Sequence, residues 1–263
     1  MPSAKEVEQF AYCAHNWWLA RRGATGDGEA ARRGQAGHAA LGREQSKTEA
    51  EKREYRSALT WSFRILAVAG SATFLTVELA FLQASPYHIL LLTTALVMVA
   101  ASAGLLVIAL LAQTAYRRRQ SEAGLIPGRL LDSDLAQQAP LLEDATWGLH
   151  GRPDYILQTH NGPTPVEVKT GHTPEHPHRS HALQLACYLR LLEANGPAPA
   201  YGLLQYPAGV FRVDWTPALK ADLKSTLASM AQAQATGKAD RDHEQAGRCR
   251  GCARRDACDQ KLA

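Results

Sequence analysis

The sequence lacks a strong net charge, since 29 lysines and arginines stand against 25 aspartates and glutamates and leave +4. Composition alone therefore argues only weakly for a nucleic-acid partner. Cysteine is also scarce, and the five cysteines are an odd number. This pattern excludes a disulfide-stapled scaffold and favours a reducing compartment. The chain has no internal repeat and no long low-complexity segment.

Positive charge is nevertheless clustered at two places. One cluster is Arg117–Arg119, and the other consists of Arg248, Arg250, Arg254 and Arg255 among the last cysteines. Local patches of this kind can contact phosphates. The first cluster also fits charge that flanks a membrane, and the second also fits a solvated surface.

Two long apolar runs interrupt the sequence at about residues 63–83 and 89–112, and the second contains no charged residue. A helix needs roughly 20 apolar residues to cross the bilayer core, so either run is long enough. Basic residues flank both outer ends, which predicts that both ends are cytoplasmic. We therefore expect a two-helix membrane protein whose soluble parts lie in the cytoplasm. A buried helical hairpin in a soluble core is the alternative.

An even number of crossings returns the chain to its starting side, so the residues before and after the hairpin can share one fold. The chain without the hairpin has an ordinary size for a single domain. The predicted segments are an N-terminal helical part (1–60), an inserted transmembrane hairpin (61–116), a core (117–248) and a cysteine-rich tail (249–263).

The soluble part reads as a mixture of helices and strands, which predicts an α/β domain. The expected helices cover residues 4–22, 29–52, 182–194 and 217–236. The expected strands cover residues 141–148, 151–158 and 165–169 as a meander, followed by 201–206 and 210–215.

Three charged residues on two neighbouring strands indicate a catalytic site. Asp154 lies in one extended run, and Glu167 and Lys169 lie two positions apart in the next run. Side chains alternate along a strand, so Glu167 and Lys169 share a face. The Asn-Gly pair at 161–162 predicts a hairpin that brings Asp154 beside Glu167. Two carboxylates and an ammonium at one point could hold a divalent cation and activate a water.

Four cysteines form a second candidate site. Cys249, Cys252 and Cys258 are clustered near the end of the sequence, and Cys13 lies near the start. Thiolates suit either an iron–sulfur cluster or Zn²⁺, and the spacing does not decide between them. Metal binding at this point would tie the two ends together and contribute to folding. The alternative is a flexible tail with incidental cysteines. Cys187 is interpreted as a buried apolar residue.

Six motifs in this order resemble the RecB-type nucleases of the PD-(D/E)xK superfamily, and more narrowly its CRISPR-associated iron–sulfur exonucleases. The motifs are a helix with Cys13 before Trp17-Trp18, Gly34-x-x-x-His38, Gly151-Arg-Pro-Asp154, Glu167-Val-Lys169, Gln184-x-x-x-Tyr188 and the three-cysteine tail. Each motif is weak alone, but the joint order is specific. The resemblance covers residues 3–42 and 141–262, so the membrane hairpin lies outside it.

The resemblance implies a restriction-endonuclease-like α/β fold with a mixed central sheet flanked by helices. In that fold His38, Asp154 and Glu167, with the Val168 carbonyl, would bind Mg²⁺ or Mn²⁺. Lys169 would position the attacking water and stabilise charge on the scissile phosphate.

The resemblance also assigns the remaining motifs. Gln184 and Tyr188 lie one helical turn apart, and they would support the active site and the DNA strand. The four cysteines Cys13, Cys249, Cys252 and Cys258 would hold a [4Fe–4S] cluster. The histidine-rich segment 172–181 is interpreted as a mobile loop, with metal or phosphate binding as the alternative.

The function that the resemblance implies is a metal-dependent DNA exonuclease, acting 5′-to-3′ on single-stranded ends and tethered to the membrane by residues 63–112. The expected partners are DNA, the membrane, and proteins of CRISPR adaptation or repair. DNA uptake and phage defence also remain open. The alternatives are a non-catalytic, membrane-tethered DNA-binding or redox-sensing iron–sulfur module, and a zinc-stapled adaptor.

Overall fold

The computed structural model describes residues 1–26, 28–81, 88–122, 126, 129–133 and 141–263. The end of the first apolar run, residues 82 and 83, and the side chain of Arg119 lie outside the described residues. The chain divides into two units. The first unit is Met1–Arg43 with Pro127–Ala263, and the second unit is Glu44–Ile126.

Helices and strands are mixed along the described residues. The helices are α1 (Ala4–Tyr12), α2 (Ala14–Arg21), α3 (Gly28–Phe81), α4 (His88–Glu122), α5 (Arg179–Asn195), α6 (Pro217–Thr236) and α7 (Ala246–Arg250). The strands are β1 (Arg129–Ser133), β2 (Leu142–Asp144), β3 (Leu149–Gly151), β4 (Tyr155–Thr159), β5 (Gly162–Val168), β6 (Tyr201–Tyr206) and β7 (Gly209–Asp214).

The first unit contains a five-stranded mixed sheet in the order β1-β4-β5-β6-β7. Strands β5 and β6 are parallel, and the other neighbours are antiparallel. A parallel pair needs a crossover connection, and α5 lies in the connection between β5 and β6. Strands β2 and β3 form a separate antiparallel pair. The mixed sheet with its helices confirms the predicted mixed α/β fold.

The predicted hairpin is confirmed and joins β4 to β5. Its turn is His160-Asn161, and Gly162 after it has a φ of +97°, a conformation that glycine adopts readily. Tyr155 pairs with Val166 across the hairpin. This register sets Asp154, the residue before β4, at the end of β5 where Glu167 lies.

The strand prediction before the hairpin is wrong in two respects. Residues 145–148 form a turn, so the expected strand over 141–148 is reduced to β2. The expected strand over 151–158 is interrupted between β3 and β4, where Pro153 cannot donate to a strand ladder. Asp154 therefore lies at a bend outside the strands, so the alternation of side chains along a strand does not apply to it.

The hydrophobic core of the first unit is centred on α5, which contacts α1, α6, the β2–β3 pair and the central strands β5 and β6. Leu183, Leu185, Leu189 and Leu191 on this helix are all fully buried. Burying a leucine side chain stabilises the fold by about 1.5–3 kcal/mol relative to exposure. The same helix carries Gln184, so the packing of α5 also fixes a predicted site residue.

Gly202 on β6 gives a direct test of this packing. A Cβ atom at Gly202 would lie 2.9 Å from both Cγ and Cδ1 of Leu185. We expect Gly202→Ala to lower the free energy of unfolding by about 1–3 kcal/mol, because overpacking displaces a buried side chain. Gly171→Ala is the control, since nothing lies within 4 Å of its Cβ position. Equal midpoints for the two variants in chemical denaturation would contradict the packing.

The single helix expected over residues 4–22 is instead two helices, α1 and α2, separated by Cys13. Cys13 has extended backbone angles, with φ −167° and ψ 117°. Tertiary partners satisfy the neighbouring backbone groups. The Arg248 guanidinium donates to the Tyr12 carbonyl at 3.0 Å, and the Ala14 amide donates to the Asp242 carboxylate at 3.2 Å. The break therefore follows from contacts that a local pattern does not contain.

The second unit consists of the later part of α3 and the whole of α4. The helix expected to stop at residue 52 continues to Phe81. The hydroxyls of Ser62 and Ser102 each donate to the other residue's carbonyl oxygen at 2.9 Å. Ala69 and Ala109, seven positions after each serine, are fully buried. Small residues at the contact allow two helices to approach closely.

The apolar runs of the second unit expose large hydrophobic side chains. Phe63, Phe74, Leu96 and Val97 are each at least 64% exposed. Among the described residues, two helices are long and apolar enough to cross a membrane, by length and composition.

Candidate active site and cysteine site

Asp154 links helix α3 to strand β5. Its Oδ1 atom lies 3.3 Å from Nδ1 of His38, and its Oδ2 atom accepts a hydrogen bond from the Val168 amide at 2.7 Å. The hydrogen bond between His38 and Asp154 raises the pKa of the imidazole, and this effect outweighs the burial that lowers it. The structure thus brings together two predicted ligands that lie far apart in the sequence. The role expected for the Val168 carbonyl stays a prediction, because the observed contact uses the amide.

Glu167 is a buried carboxylate with charged neighbours. Burial raises its pKa well above the ordinary range, the negative charge of Asp154 raises it further, and the positive charge of Lys169 opposes both effects. The Lys169 ammonium lies 3.2 Å from a Glu167 oxygen. A buried carboxylate beside a half-buried one favours a cation between them.

The Lys169 ammonium is held by several acceptors. Burial alone would lower its pKa, but the Glu167 and Glu8 carboxylates outweigh burial and raise it. Lys169 therefore stays charged over the ordinary pH range. It also donates to the Gln184 side chain at 2.5 Å, and the Gln184 amide donates to the Tyr188 hydroxyl at 3.1 Å. The predicted Gln184–Tyr188 pair is thus in contact with the predicted lysine.

The donor set of this site suits a hard divalent cation. Carboxylate oxygens and one imidazole nitrogen are ligands that Mg²⁺ and Mn²⁺ accept in proteins. The ligand atoms of His38, Asp154 and Glu167 are not a preformed triad. Among the described residues, the one group of three such atoms within 4.8 Å of one another lies elsewhere, at His15, Cys258 and Asp259. A cation bound by Glu167 would take the place of the Lys169 ammonium as the partner of that carboxylate. A cation bound by His38 would take the place of a proton on the imidazole.

Two further residues, Glu8 and His181, contact this site, and neither belongs to the predicted catalytic set. Glu8 on α1 places its Oε1 atom 3.0 Å from the Lys169 ammonium and 3.3 Å from Nε2 of His181. The segment 172–181 was expected to be a loop throughout, but α5 begins at Arg179 and includes His181. The histidine ring is anchored, since its Nδ1 atom lies 2.6 Å from the Tyr206 hydroxyl. No fixed spacing relates Glu8 to Lys169, so sequence patterns could not identify this contact.

The four predicted cysteine ligands line one cavity of the first unit. Its lining includes Cys13, Cys249, Cys252 and Cys258 together with Tyr12 and Arg248. The Tyr12 hydroxyl donates to the Arg248 carbonyl at 2.8 Å, while the Arg248 guanidinium donates back to the Tyr12 carbonyl. The first helix and the tail are therefore joined next to the sulfur atoms. All five cysteines of the chain are free thiols.

The spacing of the cysteines bears on the choice of metal. Sulfurs around one tetrahedral Zn²⁺ ion lie about 3.8 Å apart, given a zinc–sulfur bond of about 2.3 Å. No three of the cysteine sulfurs lie within 4.8 Å of one another among the described residues, since the one such group is His15, Cys258 and Asp259. In the structure the four cysteines are therefore not gathered around one zinc position. Burial raises the pKa of both the Cys13 and the Cys258 thiols, so a metal would have to displace their protons.

Comparisons with known proteins place the chain in a family. The family model of the PD-(D/E)XK nuclease superfamily matches residues 2–259. A solved structure titled "Crystal structure of SSO0001" is 19% identical, with a TM-score of 0.32, and the match covers 48% of this chain and 59% of that chain. No curated protein matches the sequence. Since the family model spans nearly every residue, the chain belongs to the PD-(D/E)XK nuclease superfamily.

Proposed function

We propose that this protein is a Mg²⁺- or Mn²⁺-dependent deoxyribonuclease that hydrolyses single-stranded DNA from its ends. Members of its superfamily are generally metal-dependent nucleases. The observation that carries the proposal is the convergence of His38, Asp154, Glu167 and Lys169, which come from separate parts of the chain. The 5′-to-3′ direction and the grouping with RecB-type, CRISPR-associated exonucleases are parts of the same proposal, as are partners in CRISPR adaptation or repair.

The mechanism assigns a task to each of these side chains. His38, Asp154 and Glu167 would hold the metal ion, which would polarise the phosphate and lower the pKa of a bound water. The Val168 amide fixes one Asp154 oxygen, so the other is oriented toward His38. The Lys169 ammonium stabilises the negative charge that develops on the phosphate. Gln184 and Tyr188 hold the lysine side chain in place.

We further propose a [4Fe–4S] cluster at Cys13, Cys249, Cys252 and Cys258. Each cysteine of such a cluster binds a different iron, so the sulfurs are spaced more widely than around one zinc ion. Their position around one cavity supports a shared four-sulfur site. The cluster would tie the break after α1 to the tail.

The membrane is the proposed location, with residues 63–112 spanning the bilayer and the first unit in the cytoplasm. The exposed apolar side chains of the second unit support this placement, because soluble proteins rarely expose large contiguous apolar patches to water. Lys52 and Arg53 before the first apolar run and Arg117 after the second supply the positive charge expected on the cytoplasmic side.

A cleavage assay tests the proposed function. We expect the purified chain to degrade single-stranded DNA when Mg²⁺ or Mn²⁺ is added and to stop when the metal is chelated, because the ion would polarise the phosphate and lower the pKa of the attacking water. DNA labelled at its 5′ end and DNA labelled at its 3′ end, compared in parallel, report the direction. DNA bound by the protein but left intact with either metal would favour the non-catalytic alternative.

Helix α3 must pack closely against the end of β5 for His38 to reach Asp154. A Cβ atom at Gly37 would lie 2.6 Å from the Cγ2 methyl of Thr170, the residue after Lys169. We expect Gly37→Ala to slow DNA cleavage on the order of 100-fold, because small displacements of catalytic groups are costly. Helix propensity alone would favour alanine over glycine, so it does not explain a loss.

The double variant Gly37→Ala with Thr170→Ser is the matched control. It removes the methyl group at 2.6 Å that the new Cβ would meet, and it leaves the Thr170 Cβ at 3.2 Å and the Thr170 oxygen at 3.8 Å. Cleavage should recover most of the wild-type rate. A double variant as slow as Gly37→Ala alone would show that the contact between α3 and β5 does not position His38.

A further inference from the structure

The Lys169 ammonium has three hydrogen-bond donors and contacts three acceptors. One is Glu167, from its own motif, at 3.2 Å, and a second is Gln184 at 2.5 Å. The third is Glu8, which reaches the site from helix α1 and lies 3.0 Å away. A carboxylate separated from the lysine by 161 positions is thus part of the lysine's immediate surroundings.

Glu8 is itself held by His181. The Nε2 atom of the ring lies 3.3 Å from the same Glu8 oxygen that contacts Lys169, and the Nδ1 atom lies 2.6 Å from the Tyr206 hydroxyl. Burial, together with the nearby Lys169 and His178 charges, lowers the pKa of His181 to about 3, so the ring is neutral near pH 7.

A neutral imidazole carries one N–H group and one acceptor nitrogen. The Glu8 carboxylate can only accept, so the proton belongs on Nε2, and Nδ1 then accepts from the Tyr206 hydroxyl. The hydrogen bonds therefore run in one direction, because Tyr206 donates to His181 and His181 donates to Glu8. The Lys169 ammonium donates to the same Glu8 oxygen. Each polar group has a complementary partner.

We propose that Glu8 and His181 are positioning residues of the nuclease, with Glu8 fixing the Lys169 ammonium and His181 fixing Glu8. The inference rests on the proposed function. Its physical reason is the double demand on Glu167. A cation at the site takes up the Glu167 carboxylate, and the lysine then loses one of its three acceptors. Glu8 and Gln184 keep the flexible side chain aimed at the phosphate.

The experiment uses the full chain in detergent with Mn²⁺ and end-labelled single-stranded DNA. We expect Glu8→Gln to lower kcat on the order of 10- to 100-fold while KM for DNA stays within twofold, because positioning affects the reacting geometry rather than binding. Tyr206→Phe, which removes only the distant hydroxyl, should lower kcat less than Glu8→Gln does. His181→Gln keeps an N–H donor and should retain more activity than His181→Leu.

Glu6→Gln is the matched control, because it makes the same chemical change on the same helix. Glu6 pairs with Arg21 at 2.9 Å and caps the helix through Ser3, and glutamine also serves in that cap. It should keep the wild-type kcat. The thermal midpoint of every variant is measured alongside.

Two results would overturn the inference. Wild-type kcat in Glu8→Gln would show that the carboxylate does not act through the lysine. The second result is a loss of kcat that only follows a lowered thermal midpoint, together with His181→Gln no more active than His181→Leu. It would show that these residues only stabilise the fold. An inactive wild-type protein would instead remove the proposed function, and the inference with it, so the two failures are distinguishable.

Discussion

Lys169→Ala is expected to slow DNA cleavage by about 10²- to 10³-fold, the loss seen when one preorganised donor to a developing negative charge is removed. The Lys169 side chain is 13% exposed, and its ammonium contacts Glu167, Glu8 and Gln184, none of which carries a positive charge that could replace it. The measurement is the single-turnover rate on end-labelled single-stranded DNA with saturating Mn²⁺. Asp154→Ala should be at least as damaging, because it removes a metal ligand and the partner of His38.

The control for this prediction is Lys5→Ala, which removes an exposed lysine from helix α1. It should cleave at the wild-type rate. Circular dichroism of all three variants shows whether they remain folded, since Lys169→Ala leaves the carboxylates of Glu167 and Glu8 without their shared cation. Cleavage by a folded Lys169→Ala protein at the wild-type rate would remove this lysine from the chemistry.

Cys249→Ser is expected to abolish iron binding and to destabilise the first unit by several kcal/mol, because metal binding at such sites is coupled to folding. Cys249 is 6% exposed and lines the same cavity as Cys13. The wild-type protein, purified without oxygen, should contain iron and sulfide and absorb visible light. The variant should be colourless, with a much lower thermal midpoint.

Cys187→Ala serves as the control, because this fully buried cysteine lies on α5 and is absent from the cavity lining. It should keep the wild-type iron content. A colourless wild-type protein that contains zinc would favour the zinc-stapled adaptor instead. Wild-type stability in Cys249→Ser would mean that the tail cysteines bind nothing structural.

The sequence supports predictions wherever the signal is local. The Asn161-Gly162 pair in the sequence and the alternation expected for the following strand were enough to predict that Asp154, Glu167 and Lys169 meet, because hairpin register follows from turn geometry. The apolar runs could likewise be recognised from the sequence, since length and composition decide whether a helix can cross a bilayer. The position of His38 beside Asp154 was expected from family resemblance, not from any spacing rule.

Long-range contacts account for what the sequence did not reveal. The break at Cys13 depends on Arg248 and Asp242, which lie more than 220 positions away. Glu8 reaches Lys169 because α1 packs on α5, a consequence of core packing and not of either residue's neighbours. Pro153 did carry a local signal, and it marks where the expected strand over 151–158 is interrupted.

The order of the segments along the chain has a consequence for synthesis. Helix α3 begins in the first unit with His38, then enters the second unit, and the strands that bear the acidic residues follow only after both apolar helices. During translation the imidazole therefore leaves the ribosome well before its partners. The site that joins His38 to Asp154 and Glu167 can therefore form only after both apolar helices have been synthesised, so the nascent chain has no complete set of these side chains before that point.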